Sequence, residues 1–367
     1  MNISVLFICG SLEPGKDGVG DYTRILAAEL QKFGCTTHIV SLYDKDVDVL
    51  TQECQYSQKR EVAVSRVPIE FNLQLRYAHL SGIVKKFNPC WISLQFVPYS
   101  FHKKGMPITL VYHLKKLHGN FQWHIMFHEL WVGTNHALSF KKALIKKIQK
   151  ALVFNLFKVL KPSLATTSNT FYAELLQNYV VSVLPLFSNI GFINVPDLKE
   201  KDKVFRVIHF GNFTGDLVEL EGQLNFVCNI SSKHQIKEVK ILCVGSGGVY
   251  KEQSLELIRS QFQNFEIVDF GRTSEHEISK LLQLSDLGIS RADRDMLGKS
   301  GSSMAMLEHG LPILLKGERV VNKNDLIDQY FYEQLHYSKD IHLKFKAFEK
   351  HPMSEVIASM FYQKLLG

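Results

Sequence analysis

Apolar and polar positions along this chain alternate between two textures, and the alternation predicts its elements. Residues 3–9 form an apolar run interrupted only by Ser4, as expected of a parallel strand covered on both faces. Gly10, Gly15, Gly18 and Gly20 punctuate the loop that follows, and residues 21–33 then place Tyr22, Ile25, Leu26 and Leu30 on one helical face before Gly34. With a second strand at 37–42 this is a βαβ opening. Further strands are expected at 91–96, 108–112, 122–127, 165–168 and 180–186, with helices at 140–161 and 169–178. The texture changes at 188–203, where Gly191, Pro196 and a mixed-charge run read as a linker. Strands at 205–210, 240–244, 265–270 and 287–290 then alternate with helices near 220–232, 252–261 and 275–284. The pattern predicts an α/β chain of two similar halves, 1–187 and 204–345, closed by an amphipathic helix within 346–367.

The stretch 297–316 gathers the most chemistry. Gly298, Lys299, Ser300, Gly301 and Ser302 form a small polar turn, Met304, Met306 and Leu307 begin an apolar helix, and Gly310 with Pro312 stops it before a buried strand at 313–315. A turn opening straight into a helix leaves backbone N–H groups facing the turn, which suits phosphate oxygens, and Lys299 adds a full positive charge. The same pattern also describes an ordinary strand-to-helix junction. A P-loop is excluded, because the required glycine five residues before Gly298 is Asp293. Asp293-Arg294-Asp295 reads as a solvated loop rather than a metal site. The glycine spacing after the first strand is not the dinucleotide fingerprint, which argues against a nicotinamide cofactor. His128 and Glu129 follow a strand, where such sheets bind ligands, although a lone histidine is equally at home in a core. Six histidines between His102 and His136 show no ligand spacing, so no metal is expected.

Charge adds one more feature. The chain of 367 residues carries a formal +7, which points to an anionic partner. On a helix over 140–161, Lys142, Lys146, Lys147, Lys150, Lys158 and Lys161 fall within an arc of roughly 160° opposite Leu152 and Leu156. Such a face fits either solvent or an anionic membrane surface. Basic residues without interleaved aromatic residues argue against nucleic acid. Six cysteines without paired spacing suit a reducing cytoplasm, no stretch reaches the ~18 apolar residues of a membrane span, and the opening does not resemble a signal peptide.

The order Gly18-Val19-Gly20-Asp21-Tyr22, Phe127-His128-Glu129-Leu130, Thr167-Ser168-Asn169, Phe270-Gly271-Arg272, Ser285-Asp286 and Lys299-Ser300-Gly301 through Glu308-His309-Gly310-Leu311-Pro312 resembles GT-B glycosyltransferases, most of all family 4 of the retaining nucleotide-sugar enzymes. The resemblance implies two Rossmann-like domains with a cleft between them, acceptor in the first, nucleotide sugar in the second, and a last helix returning to the first domain. It implies a nucleotide-diphosphate sugar as co-substrate, no cofactor, and a glycan or lipid-linked acceptor at the inner face of the membrane. His128 would hydrogen-bond the donor sugar and Lys299 would hold the departing diphosphate. Gly18, Gly20, Gly211, Asn212, Gly245, Arg272, Gly298, Ser300, Gly301, Ser302 and Glu308 would serve the donor, Glu308 reaching the ribose, while Asp21 and Glu129 lie on the acceptor side. The chain departs from the family where an Arg/Lys pair grips the diphosphate, here Gly211-Asn212-Phe213-Thr214, and where two glutamates flank the donor loop, here Leu297 and Ala305. Lys299, Arg272, Arg291 and Arg294 are the cations available to compensate. These departures keep a catalytically silent scaffold and a GT-B epimerase open as alternatives.

Overall fold

The computed structural model describes residues 3–57, 59–133, 139–193, 204–317, 325–337 and 348–367. The chain divides into two compact units, Met1–Leu184 with Ser354–Gly367, and Pro185–Met353. Residues 194–203 of the expected linker lie outside the described residues.

The first unit runs β1 (Ser4–Cys9), α1 (Gly18–Lys32), β2 (Thr36–Asp44), β3 (Thr51–Ser57), β4 (Arg60–Pro68), α2 (Leu73–Phe87), β5 (Trp91–Phe96), α3 (Ile108–Leu114), β6 (Gln122–Phe127), α4 (Phe140–Leu160), β7 (Leu164–Thr167), α5 (Thr170–Leu175) and β8 (Ser182–Val183). Its sheet order is β3-β4-β2-β1-β5-β6-β7-β8. Every neighbouring pair is parallel except β3 with β4. Central strands are buried on both faces, as the apolar runs require: all six residues of β5 are buried. The antiparallel edge strand β3 is mostly exposed and polar.

The second unit runs β9 (Val204–Asn212), α6 (Leu217–Lys233), β10 (Glu238–Gly247), α7 (Lys251–Gln261), β11 (Phe265–Gly271), α8 (Glu275–Leu284), β12 (Leu287–Asp293), α9 (Gly301–Glu308), β13 (Ile313–Lys316), α10 (Leu326–Phe331) and β14 (Leu335–Tyr337). Its strand order is β11-β10-β9-β12-β13-β14, all parallel. Val207, Leu224, Val227, Ile241, Leu255 and Leu287 lie at the heart of one apolar cluster under α6 and α7. Burying each such side chain stabilises the fold by about 2 kcal/mol.

The last helix, α11 (Met353–Leu366), packs on the first unit. Phe361 sits 4.6 Å from the His124 ring, Tyr362 stacks on Phe33 at 5.3 Å, and Glu355 approaches Lys32 at 3.5 Å.

Three sequence expectations change. The strand expected over 180–186 is confined to Ser182–Val183. Residues 108–112 form part of helix α3, not a strand. The β-branched run suggests a strand, but Leu110, Val111 and Leu114 are buried while Ile108 and Tyr112 are exposed, a helical spacing that packing against α4 rewards. On α4, the expected apolar side, Leu144, Ile145, Ile148, Leu152, Leu156 and Val159, is only partly covered: Leu152 and Leu156 are buried, whereas Leu144 is 54% exposed; beside that side Val153 and Phe157 are buried and Phe140 is 89% exposed. Lys146 of the basic face turns inward, its Nζ donating to the Gly133 carbonyl at 2.7 Å, and Lys150 lies over the Trp131 and Phe154 rings at 5.5 and 5.7 Å. Lys142 and Lys147 are exposed. The β3–β4 pair, α2, α10 and β14 are elements the hydrophobic pattern did not single out.

Candidate functional site

In the second unit the connections run outward in opposite directions from β9 and β12, so the carboxyl ends of these two neighbours form the switch point where doubly wound sheets bind ligands. A cavity of about 430 Å³ lies there. Gly211 and Asn212 from the end of β9, Arg291 and Asp293 from the end of β12, Met296, and Lys299, Ser300, Gly301 and Ser302 ahead of and within α9 line it.

The local sequence explains the shape. Asp293 caps a 3₁₀ turn over Arg294–Lys299 by accepting from the Met296 N–H at 3.1 Å. Ser300 then caps α9, its Oγ accepting from the Ser303 N–H at 3.3 Å and lying 2.7 Å from Ser303 Oγ, which is in turn 2.7 Å from Ser290 Oγ. This line of hydroxyls ties the helix start to β12. No acidic residue occupies the first turn of α9. The N–H groups of Gly301 and Ser302 have no acceptor further back in the helix, so they present partial positive charge to the cavity, with Arg291 and Lys299 beside them. Gly211 has φ 103, a conformation that favours glycine, while a Cβ there would meet Ser302 at 3.5 Å, an ordinary contact, so the backbone and not the space calls for glycine. Gly245, also at φ 103, packs against Gly211 without lining the cavity.

Several expected donor residues lie elsewhere. Gly298 is buried, and its carbonyl accepts from the Leu186 N–H at 2.9 Å. Arg272 is exposed beyond the edge strand β11, away from the lining. Arg294 is not solvated: it is buried and ion-paired with Asp328 at 2.9 Å and Asp325 at 3.3 Å. Glu308 stands at the far end of α9, about 11 Å along the axis from Gly301. Its carboxylate is turned inward, accepting from the N–H groups of Ser188 at 2.6 Å and Met353 at 3.1 Å. Burial outweighs those two donors and pushes its pKa up to about 7. Glu308 is therefore a tie between chain segments, not a residue of this cavity.

In the first unit, the helix start expected to approach phosphates is already filled. Asp17 caps α1, accepting from Val19 at 3.1 Å and Gly20 at 2.8 Å. Gly20 is buried, and a Cβ there would collide with the Ser11 carbonyl, so this glycine serves helix packing. Gly18 is exposed at the first position of the helix. Asp21 accepts from the Gly15 N–H at 3.1 Å and pairs with Arg24, which commits its carboxylate to the loop.

His128 is 3% exposed at the end of β6, edge-on to Tyr22. It heads a buried polar chain with one consistent direction. His128 Nε2 donates to Gln95 Oε1 at 2.8 Å, and Gln95 Nε2 donates to Ser93 Oγ at 2.7 Å. Ser93 Oγ meets His124 Nδ1 at 2.8 Å, and His124 Nε2 meets Thr166 Oγ1 at 2.8 Å. Thr166 ends the chain by donating to Met126 Sδ at 3.0 Å. Burial lowers the His124 pKa to about 3, so that ring is neutral and relays the pattern. Glu129 follows His128, half-buried.

A second cavity, about 1080 Å³, opens in the first unit beyond the carboxyl ends of β1, β2, β4 and β5. Tyr43, Lys45, Arg76, Tyr99, Lys103 and Lys104 are among its walls. None of these six stood out in the sequence, because they come from three separate stretches, 43–45, 76 and 99–104, and form no motif. Among the described residues no group of three or more His, Cys, Asp and Glu side chains is placed to hold a metal ion, and no helix is long and apolar enough to cross a membrane.

No family model matches this sequence, and no curated protein matches it. Solved structures do match in fold. An α,α-trehalose-phosphate synthase (UDP-forming) from Burkholderia xenovorans, in complex with glucose-6-phosphate, aligns with a TM-score of 0.57 at 9% identity, covering 100% of each chain. TarM aligns with a TM-score of 0.56 at 11% identity, covering 99% of this chain and 93% of its own. HepE from Anabaena, in complex with UDP and glucose, aligns with a TM-score of 0.53 at 14% identity, covering 99% and 92%. At these identities the likeness is one of fold alone, and the fold is the two-domain Rossmann-like GT-B architecture.

Proposed function

We propose that this protein is a glycosyltransferase that moves a sugar from a nucleotide-diphosphate sugar to an acceptor. The observation that carries the reading is the switch-point cavity of the second unit, where the uncommitted start of α9 meets Arg291 and Lys299. Breaking the sugar–phosphate bond leaves a doubly charged nucleoside diphosphate, and preorganised N–H groups with two cations stabilise that charge as it develops. In this reading the acceptor oxygen bonds to the anomeric carbon as the C1–O bond to phosphate breaks. The hydroxyl proton passes to the departing phosphate oxygen, on the same face, so configuration is retained without a covalent intermediate. Lys299 and Arg291 take the place of the absent Arg/Lys pair, and His128 contacts the donor sugar. The acceptor belongs to the first unit. The exposed Phe140, Lys142, Leu144 and Lys147 of α4 suit an anionic membrane surface that carries a lipid-linked acceptor on its cytoplasmic side.

The test is a panel of nucleotide sugars scored for thermal stabilisation and for nucleoside diphosphate release. Stabilisation by one nucleotide family together with diphosphate release supports transfer. Conversion of the sugar with no diphosphate released makes the protein an epimerase. A binding-only scaffold is the second reading, favoured because Asp293, already engaged as a cap, is the one carboxylate among the described lining residues; nucleotide binding without turnover of any sugar would establish it. Vesicle flotation tests the membrane arm, and a charge-reversed Lys142/Lys147 variant that floats equally well would remove it.

A further inference from the structure

Four arginines are buried among the described residues: Arg24, Arg66, Arg76 and Arg294. Three have carboxylate partners. Arg24 pairs with Asp21, Arg66 with Asp44 at 2.8 Å and Glu13 at 2.7 Å, and Arg294 with Asp328 and Asp325. Arg76 is 3% exposed, and among the described residues no carboxylate forms an ion pair with it. Its guanidinium donates through one nitrogen to the carbonyls of Ile69 at 2.8 Å and Phe71 at 2.7 Å and lies 3.8 Å from the Tyr43 ring centre, while Nε has no partner. A buried charge held only by neutral groups is costly unless something anionic approaches it. Arg76 lines the large cavity of the first unit.

The remaining charges of that cavity lean the same way. Lys45, Lys103, Lys104 and Arg76 face Asp17 and Glu70, and Asp17 is occupied capping α1. Lys103 and Lys104 do not sit on a loose loop. The His102 ring Nδ1 accepts from the N–H groups of Lys104 at 3.2 Å and Met106 at 3.3 Å. The Gly105 N–H closes a turn onto the His102 carbonyl at 2.7 Å, and the buried Gln149 donates to the Gly105 carbonyl at 3.0 Å. The turn therefore holds two ammonium stems at the cavity wall. Tyr43 and Tyr99 supply flat faces of the kind a sugar ring covers.

We infer that this cavity receives an acceptor that carries a phosphate ester, the phosphate drawn to Lys45, Lys103 and Lys104 in front of the unmatched Arg76. Several compact ammonium charges from separate segments suit a dianionic phosphate better than a single carboxylate, for which one free bidentate arginine would suffice. The inference rests on the glycosyl-transfer reading for the word acceptor, but the cavity's preference for phosphate is measurable without turnover.

The full-length protein is titrated calorimetrically with glucose and glucose 6-phosphate, mannose and mannose 6-phosphate, and glycerol and glycerol 3-phosphate. It is also sedimented with phosphatidylcholine vesicles with and without phosphatidic acid. A phosphorylated probe should bind about tenfold or more tightly than its parent, and added salt should weaken it. Lys103→Ala/Lys104→Ala, at two exposed positions, should lose that preference while nucleoside diphosphate affinity stays unchanged. Competition by a soluble phosphate against the vesicles separates a lipid-borne group from a free one, and either source supports the inference. If no phosphorylated probe outbinds its parent, or if the double variant keeps the preference, the inference is overturned. A protein that prefers the phosphate yet releases nucleoside diphosphate from no nucleotide sugar retains this cavity assignment and loses the transferase reading.

Discussion

Helices α1 and α9 both begin at the carboxyl edge of a parallel sheet beside its switch point, and they treat their own positive ends in opposite ways. At α1 the chain supplies the anions: Asp17 accepts from two of the first N–H groups, and Asp21 lies in the first turn, paired with Arg24. At α9 the cap is the neutral hydroxyl of Ser300, the first turn holds no acid, and two cations are added instead. The lesson is that a glycine-rich loop leading into a helix is not by itself an anion site. It can act as one only where the protein leaves the positive end without an acid, and of these two starts that is α9.

The sharpest way to break this contrast is Lys299→Ala. If α9 and its cations hold the leaving diphosphate, turnover should fall by about a hundredfold or more with the melting temperature little changed. Unchanged nucleoside diphosphate release would remove Lys299 from the chemistry.

The opposite end of α9 should show up in stability alone. Burial lifts the Glu308 pKa to about 7 in the folded protein, above its ordinary value of 4.5. Its protonated form is therefore favoured by folding. That contribution is complete below pH 4.5 and is lost as pH rises through 7, on the order of 3 kcal/mol in all. Urea unfolding at pH 5 and pH 8 should show the loss, and Glu308→Gln should flatten it. A variant with the same pH slope as the parent would show that Glu308 is not its source.

Two cap replacements compare the helix starts directly. Asp17→Ala should cost about 1–2 kcal/mol in unfolding free energy while leaving nucleoside diphosphate affinity unchanged, since α1 is a closed start. Ser300→Ala should cost less, about 1 kcal/mol, yet weaken nucleotide binding measurably by calorimetry, since α9 is the open one. Nucleotide affinity that responds to Asp17 and not to Ser300 would invert the contrast.

Much of the second unit was legible in the residues. Residues 297–316 announced a turn, an apolar helix and a buried strand in order, and three of them, Ser300, Gly301 and Ser302, line the cavity with Lys299. Arg291 was visible only as one of several nearby cations, and Asp293 only as part of a charged loop. Burial separated them from Arg294, whose guanidinium turns inward to Asp328. Glu308 misled because helical spacing shows which turn a residue occupies but not which N–H groups lie across from it. Ile108 to Tyr112 misled for a similar reason: β-branched residues favour strands weakly, and packing on α4 overrides that preference.

What the sequence alone determined is therefore periodic and local: the βα rhythm, the change of texture at 188–203, the small polar turn before α9, and the basic character of α4. Those features arise from residues within one or two turns of each other, and their spacing is the cause of the structure. The tertiary structure decided whatever depends on partners far apart in the chain. It filled the start of α1 and left that of α9 open, turned Glu308 onto Ser188 and Met353, and buried Arg76 without a carboxylate. The physical reason is that burial and pairing set the free energy of a charge, and neither quantity is written at the position of the charge itself.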